Sequence, residues 1–186
     1  MKFKGIEKKE QGEFITRYDL KYETVDGIEK IYEMISRDKD IKEFEKLHDR
    51  KPDAVVMIMH DATGEKVLIN KEYRMAVGTY VFSFPAGIIE EGETVREAAS
   101  RELREETGLH IDSIVDEIRE SFSAVGFSNE KNVCVVGTAS GEFQPSDSTL
   151  EEIEAGWYTR EEVRKLLKTE NFAGRTQAYC YIWSKE

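Results

Sequence analysis

The chain is short of cysteine, proline and positive charge, and each shortage excludes something. Two of its 186 residues are Cys, Cys134 and Cys180, far apart and without partners at metal-ligating spacing. A disulfide framework and a zinc knuckle are not expected, and both thiols should be reduced and mostly buried. With three Pro and 13 Gly there is no low-complexity segment, and no internal repeat is found. No apolar run approaches the roughly 18 residues of a membrane span. The N-terminal MKFKGIEKKEQGEF has no apolar stretch after its basic residues, so a secretory signal is not expected and the cytoplasm is. Lys and Arg number 27 against 38 Asp and Glu, a formal net charge of −11. Such a chain is not expected to bind nucleic acid or an anionic membrane. An anionic ligand would need something other than net charge to attract it, and a bound cation is the obvious choice.

What is present suffices for one packed core under a charged surface, with 39% hydrophobic and 35% charged residues. Phe14, Thr16, Tyr18, Leu20 and Tyr22 alternate as in a strand. Asp26-Gly27 predicts a two-residue type I′ turn, and IEKIYEMISR returns as a second strand. A lone hairpin is marginal in water, so this one must pack on the main body or on another copy of the chain. Residues 37–53 are mostly charged, with Ile41, Phe44 and Leu47 as a thin apolar stripe for a short surface helix. This stretch divides an N-terminal hairpin subdomain, 1–50, from a main domain, 51–186. In the main domain AVVMIMH, KVLINKEYR, VFSFPAG, KNVCVVGTAS and residues 153–158 read as strands. Thr159-Arg160-Glu161-Glu162 is a capping box opening one helix, and residues 175–183 form another. Without regular βαβ alternation, this order predicts α+β or a mixed-sheet sandwich.

A third helix carries the chemistry. Thr94 to Glu97 is a capping box and Gly108 a left-handed stop, so residues 95–107 are helical. At about 100° per residue, with Val95 at about 0°, Ala98, Ala99 and Leu103 fall at about 300°, 40° and 80°. Glu102, Glu106 and Glu105 fall at about 340°, 20° and 280°, on or beside the same apolar face. Unpaired carboxylates aimed at a core would protonate or destabilise the fold. Either basic groups neutralise them or they hold a hard divalent cation. Arg101 and Arg104 point elsewhere on the wheel and are not expected to neutralise all three.

GIIEEGETVREAASRELREETGL, residues 87–109, resembles the Nudix box, G-x5-E-x7-R-E-U-x-E-E-x-G-U with U aliphatic. Gly87, Glu93, Arg101, Glu102, Leu103, Glu105, Glu106, Gly108 and Leu109 fill all nine specified places. The resemblance implies an α/β/α sandwich around a mixed sheet, and hydrolysis of a nucleoside diphosphate linked to another moiety. It assigns Glu102, Glu105 and Glu106 to Mg2+ or Mn2+, helped by the Ala86 carbonyl. Arg101 and Glu93 would hold the loop–helix–loop in shape.

Outside the box the chain resembles the ADP-ribose pyrophosphatase branch. That likeness implies a homodimer through the N-terminal hairpin. It makes Phe14 an adenine-stacking residue, places Arg37 near the same base, and sets Arg74 against the phosphates. SAVGFSNE, residues 123–130, resembles that branch's S-P-G-x-x-x-E loop, with Glu130 as its acid. Val125 stands where the branch has Pro, a marker of ADP-ribose specificity. Other nucleotide sugars, dinucleotides and coenzyme A therefore stay open as substrates beside ADP-ribose. So does a Nudix-fold module that senses a nucleotide without cleaving it. The branch's catalytic base comes from an acidic loop before the last strand, which here offers Asp147, Glu151 and Glu152. Glu151 is the one expected.

Overall fold

A computed structural model of the chain describes residues 1–146 and 152–186. It contains two compact units, Met1–Asp53 with Glu120–Asn132, and Ala54–Arg119 with Val133–Glu186.

The first unit holds a three-stranded antiparallel sheet, β1 (Lys2–Gln11), β2 (Thr16–Glu23) and β3 (Glu29–Ser36), in that order. The expected hairpin is β2–β3, and β1 is an addition to it. Strand β1 is mostly charged, and register shifts between Phe3 and Gly5 and between Lys8 and Glu10 break its alternation. A period-2 pattern is the main signal of a strand, so a twice-bulged one is hard to see. The turn also differs from expectation. The Thr24 N–H donates to the Ile28 carbonyl at 2.9 Å and the Gly27 N–H to the Thr24 carbonyl at 3.1 Å. Only glycines have positive φ among the described residues, with Gly27 at 77°. Asp26 therefore does not take the left-handed conformation a type I′ turn requires, and the loop has three residues closed by a glycine bulge.

Tyr18, Leu20, Met34, Ile41 and Leu47 form the core of this unit. The buried Tyr18 hydroxyl donates to the Asp38 carbonyl at 2.9 Å and accepts from the Ile41 N–H at 3.2 Å. The expected surface helix is a single 3-10 turn, Glu45–Leu47, with no side-chain cap. Ile41, Phe44 and Leu47 recur every three residues, whereas an α-helical stripe also needs i+4 positions.

The second unit is built on one sheet whose order is β10 (Ile153–Thr159), β5 (Lys66–Arg74), β4 (Ala54–His60), β9 (Lys131–Ser140), β8 (His110–Phe122). Strand β6 (Thr79–Ser83) pairs with β5, and β7 (Ala86–Ile88) with β4. Most pairs are antiparallel, but β4 and β9 start side by side, the Asp53 N–H donating to the Lys131 carbonyl at 2.8 Å, and the sheet is mixed. Along β4, Val55, Met57 and Met59 face helix α1 (Val95–Thr107), meeting Ala98, Ala99 and Leu103. Val56 and Ile58 face the opposite side, where α2 (Arg160–Thr169) and α3 (Gly174–Trp183) contribute Val163, Cys180 and Trp183. Helices on both faces explain why AVVMIMH is a continuous apolar run: each side of the strand is buried. The α+β architecture and the α/β/α layers agree with the sequence expectation.

Strand β8 was not expected. Most of its residues are exposed, and it lies at the sheet edge with Ile111 and Ile114 packed inward. The chain passes from one unit to the other inside β8 and again inside β9. VFSFPAG is two strands rather than one. Proline has no N–H to give a ladder, and at Pro85 the chain leaves β5 and joins β4, where the Met57 N–H donates to the Pro85 carbonyl at 2.8 Å. Strands β4 and β5 share a single ladder pair, His60 with Val67. Beyond it β5 continues against β6 and β4 against β7. The strands part there, beside α1.

Candidate functional site

Both ends of α1 are closed, which sets the rotation of every side chain on it. The Thr94 hydroxyl accepts from the Glu97 N–H at 3.3 Å, and the Glu97 carboxylate accepts from the Thr94 N–H at 2.8 Å. At the other end Gly108 has φ 79°, and its N–H donates to the Arg104 carbonyl at 2.8 Å. Arg101 ties the loop before the helix to the helix itself. Its Nε and Nη2 each donate to a Glu93 oxygen at 2.8 Å, and Nη2 also donates to the Ile88 carbonyl at 2.9 Å.

The Arg101 hydrogen bonds, and then the Glu90 N–H, hold the Glu93 carboxyl down at about 2 against an ordinary 4.5, with desolvation opposing. A depressed carboxylate takes its proton first in the unfolded chain, so the unfolded state binds more protons between those two values. The stabilisation is complete above pH 4.5 and is lost as pH falls toward 2. Glu93→Gln is expected to flatten the fall in melting temperature across that window. An acid limb identical to that of the unmodified protein would show that Glu93 is not held ionised.

Arg101 reaches further than the helical wheel indicated. Its Nη1 donates to Glu102 at 2.9 Å and to Glu105 at 3.2 Å. A wheel gives the direction of Cβ, whereas a guanidinium has five donors on a long stem. Two of the three carboxylates thus share one arginine. The third, Glu106, is only 9% exposed and accepts from Asn70 Nδ2 at 2.8 Å. Asn70 lies on β5 with Leu68, on the face that meets α1. Asn70 is absent from the box motif, and its one sequence signal is a lone amide ending the apolar run VLI. Glu102 packs against the backbone of β7. A Cβ added at Gly87 would lie 1.8 Å from Glu102 Cδ.

Where β4 and β5 part, a cleft of about 130 Å³ opens. Glu72, Arg74, Ser83, Ala86, Arg175 and Thr176 are among its lining residues. Arg74 pairs with Glu72 at 2.6 Å. Ala86, proposed as a carbonyl ligand, and Arg74, proposed for the phosphates, therefore share one cleft. Phe14, Arg37 and Glu130 belong to the first unit. Arg37 Nε pairs with Glu130 at 2.9 Å, while Phe14 is 70% exposed and precedes β2. Asp147 and Glu151 lie outside the described residues. Glu152 accepts from the Tyr80 hydroxyl at 2.6 Å.

Residues 50–179 match the NUDIX domain. The chain belongs to the Nudix family. It is 40% identical over 82 residues to the ADP-sugar pyrophosphatase of Mus musculus, covering 42% of this chain and 35% of that protein. It is 37% identical over 76 residues to the ADP-ribose pyrophosphatase of Saccharomyces cerevisiae, covering 41% and 32%. The chain thus spans well under half the length of these curated relatives. A solved structure titled as an ADP compounds hydrolase superposes with a TM-score of 0.73 at 20% identity, covering 100% of this chain and 93% of the other. That likeness is one of Nudix fold.

Nudix proteins in general use divalent metal ions, and the α1 carboxylates suit such an ion in kind, being hard oxygen donors. Asn70 Oδ1 is buried without a partner while its Nδ2 holds Glu106, leaving an acceptor beside that carboxylate for a non-protein donor. As arranged, Arg101 draws Glu102 and Glu105 aside. Among the described residues no three His, Cys, Asp or Glu side chains converge to hold an ion. A cation would have to take two carboxylates from Arg101. The exchange costs less for Glu105, whose contact is the longer at 3.2 Å and whose side chain is the more exposed, than for Glu102 at 2.9 Å. Arg101 would keep both of its bonds to Glu93.

Among the described residues no helix is long and apolar enough to cross a membrane.

Proposed function

We propose that this Nudix chain is a metal-dependent hydrolase that cleaves the pyrophosphate bond of a nucleoside diphosphate linked to another moiety. ADP-ribose is the first substrate of this reading, with AMP and ribose 5-phosphate as products. The observation that carries it is the complete box on a doubly capped helix, with Glu106 held by Asn70 beside an arginine-bearing cleft. The pyrophosphatases among its relatives support the substrate class.

Glu102, Glu105 and Glu106, with the Ala86 carbonyl, would hold Mg2+ or Mn2+. The bound ion would supply charge neutralisation for the diphosphate and a lowered pKa for water. Arg101 and Glu93 position the helix and its loop. Arg74 faces the anionic substrate. A water attacks one phosphorus, the bond from that phosphorus to the bridging oxygen breaks, and the bridging oxygen leaves with the other phosphate. The proton of the attacking water passes to a loop carboxylate, for which the resemblance names the acidic stretch containing Glu151.

The test is phosphate release by a coupled phosphatase from ADP-ribose, UDP-glucose, GDP-mannose, NADH and coenzyme A, with and without Mg2+. Release from ADP-ribose that requires Mg2+ is expected. Release only from another member moves the substrate and keeps the chemistry. No release from any of them, together with tight nucleotide binding, would replace the enzyme by a sensing module.

A further inference from the structure

We infer that Arg175 binds phosphate, closing with Arg74 a two-guanidinium clamp on the substrate's diphosphate. The inference rests on the pyrophosphate chemistry proposed above. Nothing in the box motif points to this residue, which lies some seventy positions beyond it.

Its backbone is held on both sides. The Ala173 N–H donates to the Phe82 carbonyl at 2.9 Å, and the Phe84 N–H donates to the Thr176 hydroxyl at 3.0 Å. These bonds fasten the first turn of α3 to β6 and the segment after it, so Arg175 projects from a fixed point. The N-cap, Ala173, makes no side-chain hydrogen bond to the turn and also lines the cleft. The positive end of that helix therefore adds to the field of the two arginines.

Charge is what sets Arg175 apart. Arg74 has Glu72 at 2.6 Å. Among the described residues no carboxylate pairs with Arg175, and the group its charge acts on is the half-buried Cys134 thiol, where it opposes the rise that burial gives the thiol's pKa. A thiol is a weak acceptor and does not need an arginine. In a chain of net charge −11, an uncompensated guanidinium in a cleft is a place for an anion. The cleft, of about 130 Å³, is lined by both arginines together with Ser83 and Thr176, a set that suits phosphate groups.

The position matches the chemistry. Ala86 lines the cleft, and the adjoining Gly87 touches Glu102. On β5, Glu72 follows Asn70 by two residues on the same face, about 7 Å away, and Asn70 holds Glu106. A diphosphate whose reacting phosphorus lies at the α1 carboxylates would extend toward both arginines.

The experiment is calorimetric titration of inorganic pyrophosphate at low salt without divalent metal, using the unmodified chain, Arg175→Ala and Arg175→Lys. Loss of charge-assisted hydrogen bonds should weaken binding by about 10–100-fold in Arg175→Ala, with partial retention in Arg175→Lys. With the substrate found by the panel, KM should rise more than kcat falls. Arg175 is exposed, so melting temperature should not move. Should Arg175→Ala fail to fold, Arg175→Gln carries the titration. Equal affinity in the unmodified and substituted proteins, or no binding by the unmodified one, overturns the inference. If the panel shows no hydrolysis, the enzyme reading fails on its own, because the titration needs no turnover.

Discussion

Glu106→Gln is expected to lower Mg2+-dependent turnover by about 10²–10³-fold while leaving the fold intact, since it removes charge that acts on the transition state. The intact fold follows from one hydrogen bond. Asn70 Nδ2 donates to Glu106 Oε2 at 2.8 Å, and a glutamine carbonyl in the same place accepts the same bond. Shape and packing against β5 are kept. What disappears is a negative charge on a nearly buried carboxylate. The melting temperature should stay level. Steady-state kinetics on the active substrate, with circular dichroism on the same samples, make the check. Near-normal activity in a folded Glu106→Gln protein would remove the metal assignment.

Gly87→Ala should separate activity from stability in the same way, through sterics in place of charge. The added Cβ would stand 1.8 Å from Glu102 Cδ and 2.1 Å from each carboxylate oxygen. Those atoms end a flexible side chain, so Glu102 swings away and the backbone of β7 keeps its pairing with β4. The melting temperature should fall by only a few degrees, on the order of 1 kcal/mol in a domain of this size. Activity should fall about as far as in Glu102→Gln, because a carboxylate displaced by an ångström or more no longer serves. A Gly87→Ala protein that is fully active, or one that is unfolded, would show that the glycine is not there to seat Glu102.

Much of α1 was legible beforehand because its signals are local. A capping box, a left-handed glycine and the 3.6-residue period each span a few positions, and together they placed Glu106 inward. The two-sided burial of β4 was legible as an apolar run for the same reason. Strands β1 and β8 were not. The first is charged and bulged and the second is an edge with most side chains outside, so neither shows the alternation that marks a strand. Asp26-Gly27 marks where the chain turns but not how, because the dipeptide fits more than one loop length and the pairing of Thr24 with Ile28 selects among them.

Sequence alone determined the carboxylates of the box, their shared helical face and the family to which they belong. Only the tertiary structure decided who meets them. Arg101 divides itself among Glu93, Glu102 and Glu105. Asn70 arrives from a strand 36 positions away. Arg175 comes to the cleft from the last helix because β4 and β5 part after a single ladder pair. The reason is one of range: helix periodicity and caps act over a turn or two, whereas the partner of a buried charge is chosen by how distant segments pack, which no local pattern encodes.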